Sequence, residues 1–170
     1  MIRSSVMAKT PLFFRLLRFL ARLAVSLICL ASFCAAQNGA LAVVVNKHNP
    51  LTQISLADLR QLYLGEQRFW KGRLAVTTLM RVPGAGEQQI ALKTVFHMSE
   101  PEYKTYWVNR VFHGQASAAP AELFSNGSAQ DAVASIPGAV ALVPASQVIP
   151  RVKVLKVDGY LPDDPGYPLR

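Results

Sequence analysis

The segment from Leu79 to Glu87 combines residue types that could bind an anion: an arginine, then a glycine-rich turn that opens a helical pattern. The first turn of a helix leaves backbone N–H groups without intrahelical partners and carries the positive end of the helix dipole. Glycines let the backbone approach a ligand, and an arginine offers two parallel donors to an oxyanion. The segment therefore predicts a binding site for a phosphate, sulfate or carboxylate. The alternative is a plain strand-to-helix turn with a solvated Arg81.

The elements around this segment alternate between short apolar runs and helical patterns, which is typical of a layered α/β fold. Ser99 and Glu102 form a capping-box pattern, and Ser128 with Asp131 repeats it before a short helix that Pro137 ends. We predict four strands at residues 41–45, 74–79, 139–143 and 152–157. We predict four helices at residues 55–64, at 87–97, from Ser99 to just before Gly114, and from Ser128 to just before Pro137.

The spacing of apolar and aromatic residues identifies candidate core residues. Any of these aromatic residues that is exposed would instead mark a docking face. We predict that Leu56, Leu59 and Tyr63 share one face of the first helix and that Phe69, Trp70 and Phe96 lie in the core or at its edge. The buried face of the third helix should consist of Tyr103, Tyr106, Trp107 and Val111.

The N-terminus has the pattern of a secretory signal peptide: five basic residues, then an apolar run over residues 23–36, with no acidic residue before residue 43. Cleavage after residue 36 or after residue 42 satisfies the preference for small side chains. An uncleaved anchor and a lipid on Cys34 are alternatives, but Cys34 follows the bulky Phe33. We therefore expect a signal peptide at 1–36 (or up to 42), a lobe at 37–157, a proline-rich, non-helical tail at 158–170, and a periplasmic location.

Composition excludes several function classes for the part after the leader. The formal net charge of +8 falls to +3 without the five basic leader residues, and no basic stripe indicates nucleic-acid binding. Both cysteines lie in the leader, and the three histidines lack metal-ligand spacing, so we expect no disulfide, metal or cofactor. Neither a nucleophile motif nor a carboxylate pair supports an enzyme.

The order of four motifs resembles a known family. The motifs are residues 43–47 (VVVNK), residues 56–65 (LADLRQLYLG) with Trp70 shortly after, Arg81 with Gly84 and Gly86, and residues 137–143 (PGAVALV). Together they resemble the phosphate-binding periplasmic component of ABC transporters, a PstS-like type 2 periplasmic binding protein. The resemblance covers nearly the whole chain after the leader. It implies a single three-layer α/β lobe of that fold, similar to only the second of the two lobes in full-length members.

The resemblance also implies the ligand and the contact residues. In the family the second lobe holds phosphate with an arginine and a Gly-Ser-Gly-Thr turn; here Arg81, Gly84 and Gly86 match, whereas Ala85 replaces the serine and Glu87 the threonine. Two hydroxyl donors are therefore absent. Glu87 could act as a built-in anion that pairs with Arg81 or lies over the loop amides. Alternatively, it is a favourable first-turn residue that points to solvent.

These observations leave two main function classes. The first is a periplasmic solute-binding-like protein that binds inorganic phosphate or a similar oxyanion weakly at Arg81, Gly84, Ala85, Gly86 and Glu87. An ABC permease or another periplasmic protein, or a second copy of the chain, would be its partner. The second is a protein-interaction or regulatory module without a transport role, in which the anion site is degenerate. A secreted enzyme has no residue cluster in its favour.

Overall fold

The computed structural model describes residues 39–71 and 73–170, so the predicted signal peptide lies outside the described residues. The described residues belong to one compact unit. The strands are β1 Leu41–Asn46, β2 Gln53–Ile54, β3 Thr77–Arg81, β4 Ala121–Leu123, β5 Ala139–Pro144 and β6 Val152–Val157. The α-helices are α1 Leu56–Tyr63, α2 Gly86–Ala91, α3 Glu100–Phe112 and α4 Asn126–Ser135. A π-helical turn, Leu92–Phe96, extends α2, and a 3-10 turn, Ala145–Gln147, follows β5.

The six strands form one sheet in the order β2-β6-β1-β5-β3-β4. Strands β5, β3 and β4 run parallel to one another, whereas β1 is antiparallel to both β5 and β6. Because parallel strands share their direction, the carboxyl ends of β3, β4 and β5 meet at the same edge of the sheet. The chain after each of these strands therefore begins at that edge.

Helices cover both faces of the sheet, which confirms the predicted three-layer α/β lobe. Alternate residues of β1 point to opposite faces: Leu41, Val43 and Val45 pack in a core with α1, the π-helical turn and α3. Ala42 and Val44 pack in a second core with α4. All six residues of β1 are buried, as expected for a central strand with both faces covered.

Several predicted elements match the structure and others need correction. Strand β6 has the predicted bounds, and the capping box of Ser99 and Glu102 starts α3 as predicted. The prediction of four strands missed β2 and β4, and β3 starts at Thr77 rather than at residue 74. The start of α4 was also wrong: Ser125 is the N-cap and Ser128 completes its capping box. Each missed strand has only two or three residues, too few for a clear alternation.

Two of the predicted core residues are exposed. Val111 on α3 is 43% exposed and Phe69 is 57% exposed, so both predictions were wrong. The buried stripe of α3 consists of Tyr103 and Trp107, and Val111 lies one turn beyond it. Most of the other predicted core residues are buried, while Leu56 and Tyr106 lie partly buried against the core.

The turn before β5 packs tightly against the loop before β3. The indole N–H of Trp70 donates to the carbonyl of Gly138 at 2.9 Å, and the Thr77 N–H donates to the same oxygen at 3.0 Å. A Cβ atom on Gly138 would clash with the carbonyl oxygen of Ala75. This position therefore requires a glycine because of close backbone approach.

The C-terminal tail is non-helical, as predicted, but it is part of the packed structure. Tyr167 and Leu169 are buried in the larger core. The Leu41 N–H donates to the carbonyl of Leu169 at 2.9 Å, and the Tyr167 hydroxyl donates to the carbonyl of Leu41 at 2.6 Å. Residues 167–169 thus stabilise the start of β1. Across the described residues, no helix is long and apolar enough to cross a bilayer.

Candidate functional site

Three connections meet at the edge where β3, β4 and β5 end. Arg81 is the last residue of β3, and α2 begins at Gly86 after a short turn. Asn126 is the first residue of α4, shortly after β4, and Gln147 ends the 3-10 turn after β5. Ligands of open α/β sheets bind at this type of edge, beyond the carboxyl ends of the strands. The fold therefore brings the predicted loop together with polar side chains from two other connections.

Arg81 is oriented by contacts within the chain. Its side chain is only 14% exposed, and its Nη1 donates to the carbonyl oxygen of Leu123 at 2.6 Å. Its Nε lies 3.6 Å from Oε2 of Glu87. That separation is an ion pair but not a hydrogen bond, so the buried Nε–H has no hydrogen-bond partner among the described residues. Arg81 is thus a fixed cation whose buried Nε–H is unused.

Glu87 points into this site. Its Oε1 accepts a hydrogen bond from Nδ2 of Asn126 at 2.7 Å, and its side chain is 16% exposed. The same Asn126 nitrogen donates to Oε1 of Gln147 at 2.8 Å. The pairing of Glu87 with Arg81 is therefore confirmed, and the alternative of a solvent-facing Glu87 is wrong.

The surroundings of Glu87 favour its charged form. Partial burial would raise the pKa of the carboxyl, but the hydrogen bonds from the Asn126 amide and the backbone N–H of Glu87, together with the charge of Arg81, outweigh it. They lower the pKa of Glu87 below its ordinary value of 4.5. At neutral pH the position beside Arg81 therefore holds a carboxylate anion.

Two backbone amides of the glycine-rich turn have acceptors within the chain. Gly84 has a positive φ of 83°, and its N–H donates to Oε1 of the buried Gln88 at 3.0 Å. The Ala85 N–H donates to the carbonyl of Val82 at 3.2 Å. Ala85 is the N-cap of α2 and has no side chain that could donate to a ligand.

The backbone of this turn is nevertheless accessible. A Cβ atom on Gly84 or on Gly86 would meet no other atom of the described chain within 4 Å. The backbone at Gly84 and Gly86 therefore faces open space.

Three residues of this site were not predicted from the sequence. Asn126 donates hydrogen bonds to Glu87 and to Gln147. Gln88 accepts a hydrogen bond from the Gly84 N–H of the loop. Asn126 was missed because strand β4 was not recognised and the start of α4 was placed at Ser128. Ser125, a preferred N-cap residue type, is the signal that could have placed Asn126 in the first turn of α4.

The histidines do not come together. His48 lies in the turn after β1, His97 ends the π-helical turn and His113 ends α3. Within residues 39–71 and 73–170, no group of three or more His, Cys, Asp or Glu side chains could hold a metal ion.

The architecture matches that of known binding proteins. No family model matches the chain. Its structural neighbours are phosphate ABC transporter substrate-binding proteins. One, from Clostridium perfringens, is described as such a protein and was solved with bound phosphate; it has a TM-score of 0.60 and 19% identity over 72% of this chain and 46% of its own.

Two further neighbours give the same result. An ABC-type phosphate transport receptor from Vibrio cholerae has a TM-score of 0.59 and 19% identity over 75% of this chain and 53% of its own. PstS from Borrelia burgdorferi has a TM-score of 0.56 and 15% identity over 72% of this chain and 48% of its own. The chain spans about half the length of the solved structures it matches. At these identities the likeness concerns the fold, which is that of a PstS-like periplasmic binding protein.

Proposed function

We propose that the chain is a periplasmic solute-binding-like protein that binds an oxyanion weakly at the loop from Arg81 to Glu87. The observation that carries this proposal is that an anion already lies there: the Glu87 carboxylate is held by Arg81 and Asn126. Donors that hold one negatively charged oxygen group can hold another of similar size. The glycine backbone between Arg81 and Glu87 in the sequence faces open space.

The same geometry explains why the affinity should be low. An external anion must displace the Glu87 carboxylate from Arg81 or bind beside it against like-charge repulsion. The amides of Gly84 and Ala85 already have acceptors within the chain. Ala85 offers no hydroxyl. A phosphate therefore cannot use these two amides or a hydroxyl at residue 85 in the chain as it stands.

Partners and location follow from the same proposal. The neighbours described as phosphate transport proteins favour inorganic phosphate or a similar oxyanion as the ligand and an ABC permease as the partner. The N-terminal sequence pattern favours export to the periplasm. Because the chain spans about half of those neighbours, a second copy or another periplasmic protein could complete the site. The proposed role is binding rather than enzymatic catalysis and requires no cofactor.

Isothermal titration of the purified protein with phosphate and with sulfate at low salt tests the proposal. We expect saturable heat in the natural protein and none in Arg81→Ala. The matched control is Arg151→Ala, which removes the same charge from an exposed position elsewhere in the lobe. Equal heat in all three proteins, or no heat in the natural protein, would contradict an Arg81-dependent oxyanion site.

A second function is favoured by a specific observation. Glu87 fills the anion position, and Phe124, two residues before Asn126, is 84% exposed. An occupied site beside an exposed aromatic residue fits a protein-interaction or regulatory module without a transport role. This alternative predicts no saturable heat with either anion in the natural protein, and co-purification of a periplasmic protein that Phe124→Ser abolishes.

A further inference from the structure

Glu87 is bound in the site as a ligand would be. One carboxylate oxygen accepts a hydrogen bond from Asn126 at 2.7 Å, and the other lies 3.6 Å from Nε of Arg81. The two donors come from different elements, the end of β3 and the start of α4. The carboxylate therefore joins two parts of the chain that share no other direct side-chain hydrogen bond or ion pair in the described structure.

The match between this internal carboxylate and its donors is incomplete. A good N–H···O bond has a donor to acceptor distance of about 2.7–3.2 Å, so the separation of 3.6 Å from Arg81 is too long. The Nε–H of Arg81 is buried without a hydrogen-bond partner in the part of the chain that the structure describes. Glu87 is attached to the first turn of α2, and this attachment limits where its carboxylate can lie. A free carboxylate has no such attachment and could bond to both donors.

The two donors that hold the Glu87 carboxylate suit a planar group with two oxygens better than a tetrahedral anion. Phosphate and sulfate present four oxygens, and here Ala85 supplies no hydroxyl while the Gly84 N–H is taken by Gln88. A monocarboxylate has one negative charge and two oxygens, which the two donors from Arg81 and Asn126 can satisfy.

We propose that Glu87 is a tethered ligand that blocks this site, and that the position it occupies takes a small monocarboxylate such as formate or acetate in preference to phosphate or sulfate. The inference rests on the proposed function, since it concerns the ligand class of the same site. It also makes Asn126 a ligand-contacting residue.

Removal of the tethered carboxylate tests this directly. Formate, acetate, phosphate and sulfate are titrated at matched ionic strength into the natural protein, Glu87→Ala and Glu87→Gln, with the melting temperature and titration heat as readouts. In Glu87→Ala we expect saturable binding of formate and acetate, at least about tenfold tighter than of phosphate. Glu87→Gln keeps the size of the side chain but not its charge, and we expect a weaker effect of the same kind. Adding Asn126→Ala to Glu87→Ala should abolish carboxylate binding.

The outcomes separate this inference from the proposed function. If Glu87→Ala binds phosphate more tightly than acetate, the choice of carboxylate is wrong while an oxyanion site remains. If Glu87→Ala binds no anion more tightly than the natural protein does, Glu87 does not block the site and the inference is overturned. If neither the natural protein nor Glu87→Ala binds any of the four anions, the proposed function fails as well.

Discussion

Introducing hydroxyl groups into the turn from Arg81 to Glu87 should strengthen phosphate binding at this site. The double change Ala85→Ser with Glu87→Thr removes the internal carboxylate and adds two hydroxyl donors. Ala85 has an extended backbone at the N-cap of α2 and no capping side chain. A serine hydroxyl in this conformation can accept the N–H of Gln88 and still donate its own proton to an anion.

The size of the effect follows from the number of new bonds. A hydrogen bond to a charged group contributes about 1.5–3 kcal/mol, so two hydroxyls contribute about 3 kcal/mol at the lower limit. Since about 1.4 kcal/mol corresponds to a factor of ten, phosphate affinity should rise about 100-fold. Removing the carboxylate that competes for Arg81 adds to this increase.

Titration calorimetry with phosphate on the natural protein, the two single variants and the double variant measures the effect. Each single variant should gain less than the double variant, because Ala85→Ser alone leaves the carboxylate in place and Glu87→Thr alone adds one hydroxyl. The matched control is a triple variant that adds Arg81→Ala to Ala85→Ser and Glu87→Thr. In this variant the gain in phosphate affinity should vanish. Unchanged phosphate affinity in the double variant would refute the assignment of this turn as the anion site.

Three further predictions concern stability. Gly138→Ala should cost about 1–3 kcal/mol in chemical denaturation because its Cβ would clash with a backbone carbonyl, whereas Gly86→Ala meets open space and should change stability by less than about 0.5 kcal/mol. Leu169→Ala should cost about 2–5 kcal/mol because this tail side chain is fully buried, and Leu161→Ala, at an exposed position, should cost much less. Folding lowers the pKa of Glu87 below its ordinary value of 4.5. The ionised Glu87 therefore stabilises the folded state fully above pH 4.5, and this stabilisation is lost as the pH falls through the pKa of Glu87 in the folded protein. Urea denaturation between pH 6 and pH 3 should therefore show a larger acid loss in the natural protein than in Glu87→Gln.

Local signals in the sequence were enough to predict the layers of the fold. The capping box of Ser99 and Glu102 depends on residues three apart, and the apolar run of β6 has a clear start and end. Such features form within a few residues and need no tertiary information. Strands β2 and β4 are short and were missed because their pairing with β6 and β3 depends on distant parts of the chain.

Only part of the candidate site could be predicted from the sequence, again because one of its contacts joins distant parts of the chain. Arg81 and Glu87 are six residues apart, and their pairing follows from a turn that the glycines indicate. Asn126 contacts Glu87 across 39 positions of the sequence, and this contact exists only because parallel strands β3 and β4 end at the same edge. The sequence of the loop alone does not contain this information.

The most direct test of the central claim follows single side-chain N–H groups by ¹H–¹⁵N NMR during phosphate titration of the natural protein. We expect saturable shifts at Nε of Arg81 and Nδ2 of Asn126, because phosphate must displace the Glu87 carboxylate from these donors or bind beside it. The indole Nε1 of Trp70, which donates to Gly138, is the control and should stay unchanged. Unchanged Arg81 and Asn126 signals at saturating phosphate would contradict an anion site at the carboxyl edge of β3 and β4.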